Sequence, residues 1–124
     1  MAQGSKKIKM AKILTCCKQG LVRSVGLADV LKLHFRPVDV IPIGLESNFP
    51  GTLKMLFGWA NHIIVMEEQY KGRIWTLYSH KALVCEVGPD TYGNSHNRSL
   101  IDQCWDWCRK NKEKLGIKEH GDSI

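Results

Sequence analysis

The chain has 124 residues, 44% of them hydrophobic and 24% charged, which suffices for one domain with a core and not for two ordinary domains. No apolar run reaches the ~18 residues of a membrane span, and the basic first residues lack the apolar stretch of a secretory signal, so we expect no membrane partner. The formal net charge of +6 suits a phosphorylated or a nucleic-acid partner, although much of the excess lies near the two ends of the chain.

Strand-like and helix-like patterns alternate along the chain. β-Branched and apolar runs predict strands, and apolar residues at a period near 3.6 predict helices. The predicted strands span 12–15, 38–43, 62–66 and 82–87, and the predicted helices span 24–35, 51–59, 67–77 and 99–115. Either Ser99 or Asn97 is expected to cap the last helix. This alternation predicts an α/β fold of three layers, in which helices flank a four-stranded parallel sheet.

The patterned part of the chain is expected to form a single domain. This domain spans 12–116, after a basic, flexible segment at 1–11 and before a flexible tail at 117–124. In open parallel sheets, ligands bind beyond the carboxyl ends of the strands. One loop after Cys17 and another at 88–97 leave such ends, so we expect both loops to face one pocket.

The segment that follows the first strand has the pattern of an oxyanion cradle. Cys17 and Arg23 lie six positions apart, and Ser24 comes directly after the arginine. A strand that feeds a short loop and then a helix points backbone N–H groups inward, with a helix N-terminus behind them. A sulfur on the first residue of such a loop would lie beneath a bound phosphorus atom.

The residue types in this loop predict a nucleophile under an anion site. A helix N-terminus and a nearby arginine lower the pKa of a thiol, to a range of roughly 3.5–7.5. Arg23 offers a planar fork for two phosphate oxygens, and Gly20 tolerates the positive φ that tight loops often need. The hydroxyl of Ser24 is placed to donate to the sulfur of Cys17.

Cys17, five further residues, Arg23 and Ser24, placed after the first strand, resemble the phosphate loop of the low-molecular-weight protein tyrosine phosphatases. The segment 59–67 is similar to the third strand of a short bacterial and viral branch of that family, and 89–92 is similar to its acid loop. The resemblance covers most of 12–109 and implies the flavodoxin-like architecture of these phosphatases.

The resemblance also implies roles for individual residues. Cys17 would attack phosphorus and form a phosphocysteine, and Asp90 would protonate the leaving oxygen and then activate water. Ser24 would support the thiolate, and Tyr92 would flank the mouth of the pocket. The phosphoryl oxygens would be held by Arg23 and by backbone N–H groups of Lys18, Gln19, Gly20, Leu21, Val22 and Arg23. No metal and no organic cofactor is implied.

Four positions depart from the family pattern. The family usually has Gly and then Asn at the second and third places after the nucleophile, where this chain has Gln19 and Gly20. Val25 stands where the family often has Pro, and Asp90 follows Pro89, whereas in the main branch the acid precedes a Pro.

The five cysteines do not form a disulfide framework, and without an export signal this favours a reducing cytoplasm. Core packing is the expected role of Cys16, Cys85, Cys104 and Cys108. The predicted partners are a phosphorylated protein or a small phosphate ester, with inorganic phosphate as product and inhibitor. Two alternatives stay open: an arsenate reductase-like thiol enzyme, and a non-catalytic protein that binds phosphate or a phosphopeptide. Nucleic acid is not favoured, because aromatic residues are not interleaved with the basic ones.

Overall fold

The computed structural model describes residues 9–121. In chain order its elements are β1 (Ala11–Cys17), α1 (Arg23–His34), β2 (Phe35–Arg36), β3 (Val38–Gly44), α2 (Pro50–Trp59), β4 (His62–Val65), two 3₁₀ helices (Glu68–Arg73 and Thr76–Lys81), β5 (Ala82–Val84), α3 (Arg98–Leu115) and β6 (Lys118–Glu119). Of the two predicted flexible ends, residues 1–8 and 122–124 lie outside the described residues.

The central sheet has four parallel strands in the order β3-β1-β4-β5. β1 is an inner strand, and its register with β3 runs from Ala11 opposite Val38 to Cys17 opposite Gly44. The predicted α/β fold with a four-stranded parallel sheet is therefore confirmed. Because all four strands are parallel, the loops that carry Cys17, Glu67 and Gly88 leave the same edge of the sheet.

The core has two parts, one on each face of the sheet. Side chains alternate along β1, so Ile13 and Cys17 belong to the cluster under α1 and α3, whereas Leu14 and Cys16 belong to the cluster under α2. The predicted three-layer arrangement is confirmed, and so is the prediction that Cys16 is a core residue. The same alternation places the sulfur of Cys17 on the side from which α1 begins.

The predicted helix at 67–77 is wrong. This part of the chain forms two short 3₁₀ helices, with i→i+3 hydrogen bonds such as those from Tyr70 N to Glu67 O and from Ile74 N to Lys71 O. Only Tyr70 and Ile74 of this segment are buried, so it lacks the continuous apolar stripe that stabilises a longer amphipathic helix. The predicted strand at 82–87 is also shorter, because β5 ends at Val84.

The tail predicted at 117–124 begins too early along the chain. Ile117 is buried in the core, and β6 pairs with β2 in a small antiparallel sheet, Phe35 opposite Glu119. Two-residue strands carry no alternating pattern, so the sequence could not reveal this pairing. Among residues 9–121, no helix is both long enough and apolar enough to cross a membrane.

Candidate active site

Cys17 is the last residue of β1, and its sulfur has two polar neighbours. The N–H of Gly20 donates to Sγ at 3.1 Å, and Oγ of Ser24 lies 3.1 Å from the same atom. The side chain is 2% exposed and packs in the core cluster under α1. An anionic sulfur accepts such hydrogen bonds more strongly than a neutral thiol does. The structure thus brings Gly20 and Ser24, both singled out in the sequence, to the sulfur of Cys17.

The turn between β1 and α1 depends on a close approach of two glycines. Gly20 has a φ of +75°, a conformation that glycine and asparagine tolerate best. A Cβ on Gly20 would lie 2.5 Å from the backbone N of Gly44, and a Cβ on Gly44 would overlap the backbone of Gln19. Gly20 therefore takes the left-handed position without the family's asparagine, and Gly44 is a site residue that the sequence did not point to.

The segment after β3 holds the outer side of this turn. Leu45 N donates to Cys17 O at 2.9 Å, Glu46 N donates to Lys18 O at 3.0 Å, and Oγ of Ser47 donates to Gln19 O at 3.1 Å. These bonds use carbonyl oxygens of the turn and not its N–H groups, one of which, that of Gly20, donates to Sγ of Cys17. In the described part of the chain, no side chain caps the N-terminus of α1, so its first N–H groups are available to an anion.

Arg23 is buried at the start of α1 and is tied to two other loops. Its Nη1 donates to Oε2 of Glu67 at 2.7 Å and to the carbonyl oxygen of Gly88 at 3.0 Å. Burial lowers the pKa of Arg23, but the interactions with Glu67 and Tyr70 and the charge of Asp90 outweigh burial and raise it. The guanidinium is thus a permanent buried cation beside the Cys17 loop, not a solvent-facing one.

Glu67 and Gly88 were missed by the sequence interpretation. Glu67 directly follows a predicted buried strand at its carboxyl end, which is the signal that could have identified it. It was assigned instead to the start of the helix predicted at 67–77. Gly88 contributes only its carbonyl oxygen and has a φ of +84°, so no side-chain pattern reports its role.

Asp90 lies in the loop that follows Gly88. Its carboxylate is exposed, and its negative charge is close enough to Arg23 to raise the pKa of the guanidinium. A local turn, in which Thr91 N donates to Pro89 O at 2.9 Å, shapes the backbone on either side of Asp90. The charge of the predicted acid therefore acts on the cation that follows the predicted nucleophile loop.

Tyr92 holds this acid loop onto the body of the protein. Its hydroxyl donates to Val87 O and accepts from Nε2 of Gln103 at 2.9 Å, and its ring packs against the core cluster under α1 and α3. Asn97 donates to Tyr92 O at 3.0 Å and also caps α3, which confirms one of the two predicted caps. The phenol of Tyr92 is thus engaged within the loop, and Gln103 is a further supporting residue.

The overall structure is similar to those of known phosphatases. Over 86% of this chain and 93% of the other, it matches the YwlE arginine phosphatase from Geobacillus stearothermophilus, with a TM-score of 0.66 and 19% identity. It also matches Wzb from Vibrio vulnificus in complex with benzylphosphonate, over 82% of this chain and 99% of the other, with a TM-score of 0.56 and 15% identity. Both belong to the low-molecular-weight phosphatases. The chain has the low-molecular-weight phosphatase fold.

A third similar structure is a YwlE arginine phosphatase variant whose active-site serine is phosphorylated. It shares 14% identity with this chain, at a TM-score of 0.60, over 84% of this chain and 99% of that one. No protein-family model and no curated protein matches the chain. The similarity to the low-molecular-weight phosphatase fold thus rests on three-dimensional structure.

Three other thiols lie together within the core of this phosphatase fold. Cys85, Cys104 and Cys108 are fully buried. A hydrogen bond with Cys104 and burial raise the pKa of Cys85, and burial raises the pKa of Cys108. Both thiols are therefore neutral and poorly reactive. In residues 9–121, no cluster of three histidine, cysteine or acidic side chains is arranged to hold a metal ion.

Proposed function

We propose that the chain is a cysteine-dependent phosphomonoesterase that hydrolyses phosphotyrosine in proteins through a phosphocysteine intermediate. The observation that carries this proposal is the pair of 3.1 Å contacts of Cys17 Sγ, with Gly20 N and Ser24 Oγ, next to the buried cation of Arg23. A nucleophile under free N–H groups and a fixed cation is an arrangement suited to phosphoryl transfer.

In the first step, Sγ of Cys17 attacks phosphorus, so the S–P bond forms as the bond from phosphorus to the leaving oxygen breaks. Asp90 gives its proton to that oxygen, which departs as a neutral alcohol or phenol. In the second step, Asp90 takes a proton from water, and the water oxygen attacks phosphorus. The S–P bond breaks, the anionic sulfur returns, and inorganic phosphate leaves.

The charges that develop on the phosphoryl oxygens are met by donors already in place. Arg23 supplies a buried guanidinium, and the uncapped N-terminus of α1 supplies N–H groups and the positive end of its dipole. Since these donors are held by β1, β3 and the acid loop, they need little reorganisation when the substrate binds.

The rim of the loop favours an aromatic substrate. Leu21 lies in the phosphate loop itself and is 72% exposed, and Phe49, two residues after Ser47, whose hydroxyl bonds this loop, is 83% exposed. Large apolar side chains with this exposure bind an aryl ring better than they bind a charged group. Phosphoarginine, the substrate class in the names of two similar structures, has a guanidinium at this position.

We expect the full chain to hydrolyse p-nitrophenyl phosphate and a phosphotyrosine peptide. Its kcat/KM for phosphotyrosine should exceed that for matched phosphoserine and phosphoarginine peptides by roughly tenfold or more, because apolar contact distinguishes the leaving groups. Release of inorganic phosphate measures all three rates. Preference for phosphoarginine would overturn the tyrosine assignment alone, and failure to hydrolyse any of these substrates would overturn the phosphatase proposal.

The two other functions that the sequence left open lack a supporting observation. An arsenate reductase would need two further reactive thiols, whereas Cys85 and Cys108 are buried with raised pKa values. The non-catalytic alternative depended on departures from the family's loop pattern, such as Gln19. The loop nevertheless makes its left-handed turn, because Gly20 adopts that conformation without the family's asparagine. All five cysteines are free thiols, which suits the reducing cytoplasm that we propose as the compartment.

Replacing Asp90 by asparagine should slow hydrolysis of phenyl phosphate by roughly 10²–10³-fold, because its poor leaving group departs only with a proton. The loss with p-nitrophenyl phosphate should be much smaller, since p-nitrophenolate leaves without protonation. Steady-state kcat on both esters measures the contrast. Asp102→Asn, an exposed change on α3, should alter neither rate. Equal losses on the two esters would show that Asp90 is not the general acid.

A further inference from the structure

The guanidinium of Arg23 is anchored through one of its two terminal nitrogens. Nη1 donates to Oε2 of Glu67 at 2.7 Å and to the carbonyl oxygen of Gly88 at 3.0 Å. Because Nη1 carries two hydrogens, these two acceptors use both of them. Nη1 therefore has no hydrogen left for an oxyanion.

The inner nitrogen of the guanidinium, Nε, has no such anchor. Nε of Arg23 is buried and has no hydrogen-bond partner among the residues that the structure describes. Native proteins rarely leave a buried N–H without a partner, so this one calls for an acceptor. Since the guanidinium is a rigid fork, the Nε–Nη2 edge remains for two oxygens of a tetrahedral anion.

Glu67 is itself held in place. Met66 N donates to Cys16 O at 2.9 Å, which continues the strand ladder up to Glu67. Oε1 of Glu67, the carboxylate oxygen that does not bond Arg23, accepts from Nε2 of Gln69 at 2.8 Å. Burial raises the pKa of Glu67, but the hydrogen bonds from Arg23 and Gln69 outweigh burial and hold it below its usual value. The carboxylate is therefore ionised at neutral pH.

We propose that Glu67 is a positioning residue for Arg23. Together with the Gly88 carbonyl it occupies Nη1, fixes the rotation of the guanidinium and presents the Nε–Nη2 edge to the phosphoryl group. This inference rests on the proposed phosphatase function and adds to it the edge of the arginine that binds phosphate. It also links the acid loop to the phosphate loop, because Gly88 lies two residues before Asp90.

A purely electrostatic role and a positioning role of Glu67 predict opposite changes in phosphate affinity when Glu67 is replaced. A carboxylate beside an anion site repels phosphate, so removing its charge should strengthen phosphate binding if charge were its only effect. If Glu67 orients the guanidinium, removing its acceptor should weaken phosphate binding. The direction of the change therefore separates the two roles.

Binding of inorganic phosphate to the full chain tests this inference by calorimetry. Glu67→Ala removes the acceptor and should weaken binding about tenfold, while Glu67→Gln keeps an acceptor oxygen and should stay within about threefold of wild type. Glu68→Gln is the matched control, an exposed carboxylate one residue further along, and should change nothing. Unchanged or tighter binding by Glu67→Ala, or an equal loss in Glu67→Gln, would overturn the positioning role.

A second measurement needs no variant at Glu67. In wild-type protein labelled with ¹⁵N-arginine, the Nε–H resonance of Arg23, assigned by its absence in Arg23→Lys, should shift when phosphate is added. A shift supports the proposed edge. Phosphate binding with an unmoved Nε resonance would overturn this inference alone, whereas failure of wild-type protein to bind phosphate at all would overturn the proposed function as well.

Discussion

Cys17→Ser will abolish hydrolysis of p-nitrophenyl phosphate, with a loss of roughly 10⁴-fold or more in kcat. A serine hydroxyl is a weak nucleophile without an adjacent general base, and the polar contacts of Cys17 come from a backbone N–H and from the hydroxyl of Ser24, neither of which is such a base. Binding of inorganic phosphate should persist, because Arg23 and the loop N–H groups remain.

Cys16→Ala is the matched control for this experiment. Cys16 is the neighbouring thiol, but it is buried in the core on the opposite face of the sheet, and burial and the charge of Cys17 raise its pKa. Its replacement should leave kcat within about twofold, with at most a modest loss of thermal stability. If Cys17→Ser kept full activity, or if Cys16→Ala lost it, Cys17 would not be the nucleophile.

Arg23→Lys will lower kcat/KM by roughly 10²–10³-fold and weaken phosphate binding, although it preserves the charge. Lysine is a point charge on a flexible stem, and it cannot bond Glu67 and Gly88 through one nitrogen while it offers two further N–H groups to the substrate. Rates with p-nitrophenyl phosphate and inhibition by inorganic phosphate measure both effects.

The control for this change is Arg73→Lys. Arg73 forms an exposed ion pair with Glu46, so its replacement should alter neither the rate nor phosphate inhibition. Circular dichroism of the Arg23→Lys variant is needed beside the kinetics, because a buried site is sensitive to unpaired charge. We expect the spectrum of the wild-type fold. A folded Arg23→Lys variant with wild-type kinetics would show that the bidentate fork is not used.

The cradle around Cys17 was predictable because its parts are close in the sequence. A strand, a five-residue turn that contains Gly20, and a helix that starts at Arg23 are all local features, and local patterns report them. The core role predicted for Cys16 follows from the same strand, because side chains alternate along β1 and Cys16 lies on the face opposite Cys17. The sequence could therefore locate the candidate nucleophile and its loop.

The errors fall where periodicity is short or weak. The segment 67–77 has apolar residues that suit a helix, but few of them reach the core, and the chain forms 3₁₀ helices. The strands β2 and β6 are two residues each, below the length at which alternation is detectable.

The amino-acid sequence alone determined the order of strands and helices, the phosphate-loop pattern and the residues able to act as nucleophile, cation and acid. Only the tertiary structure decided what surrounds Arg23: Glu67 lies 44 residues away in the chain, and Gly88 lies 65 residues away. The physical reason is that parallel pairing brings the carboxyl ends of β1, β4 and β5 to one edge, and no local pattern records which loops then meet.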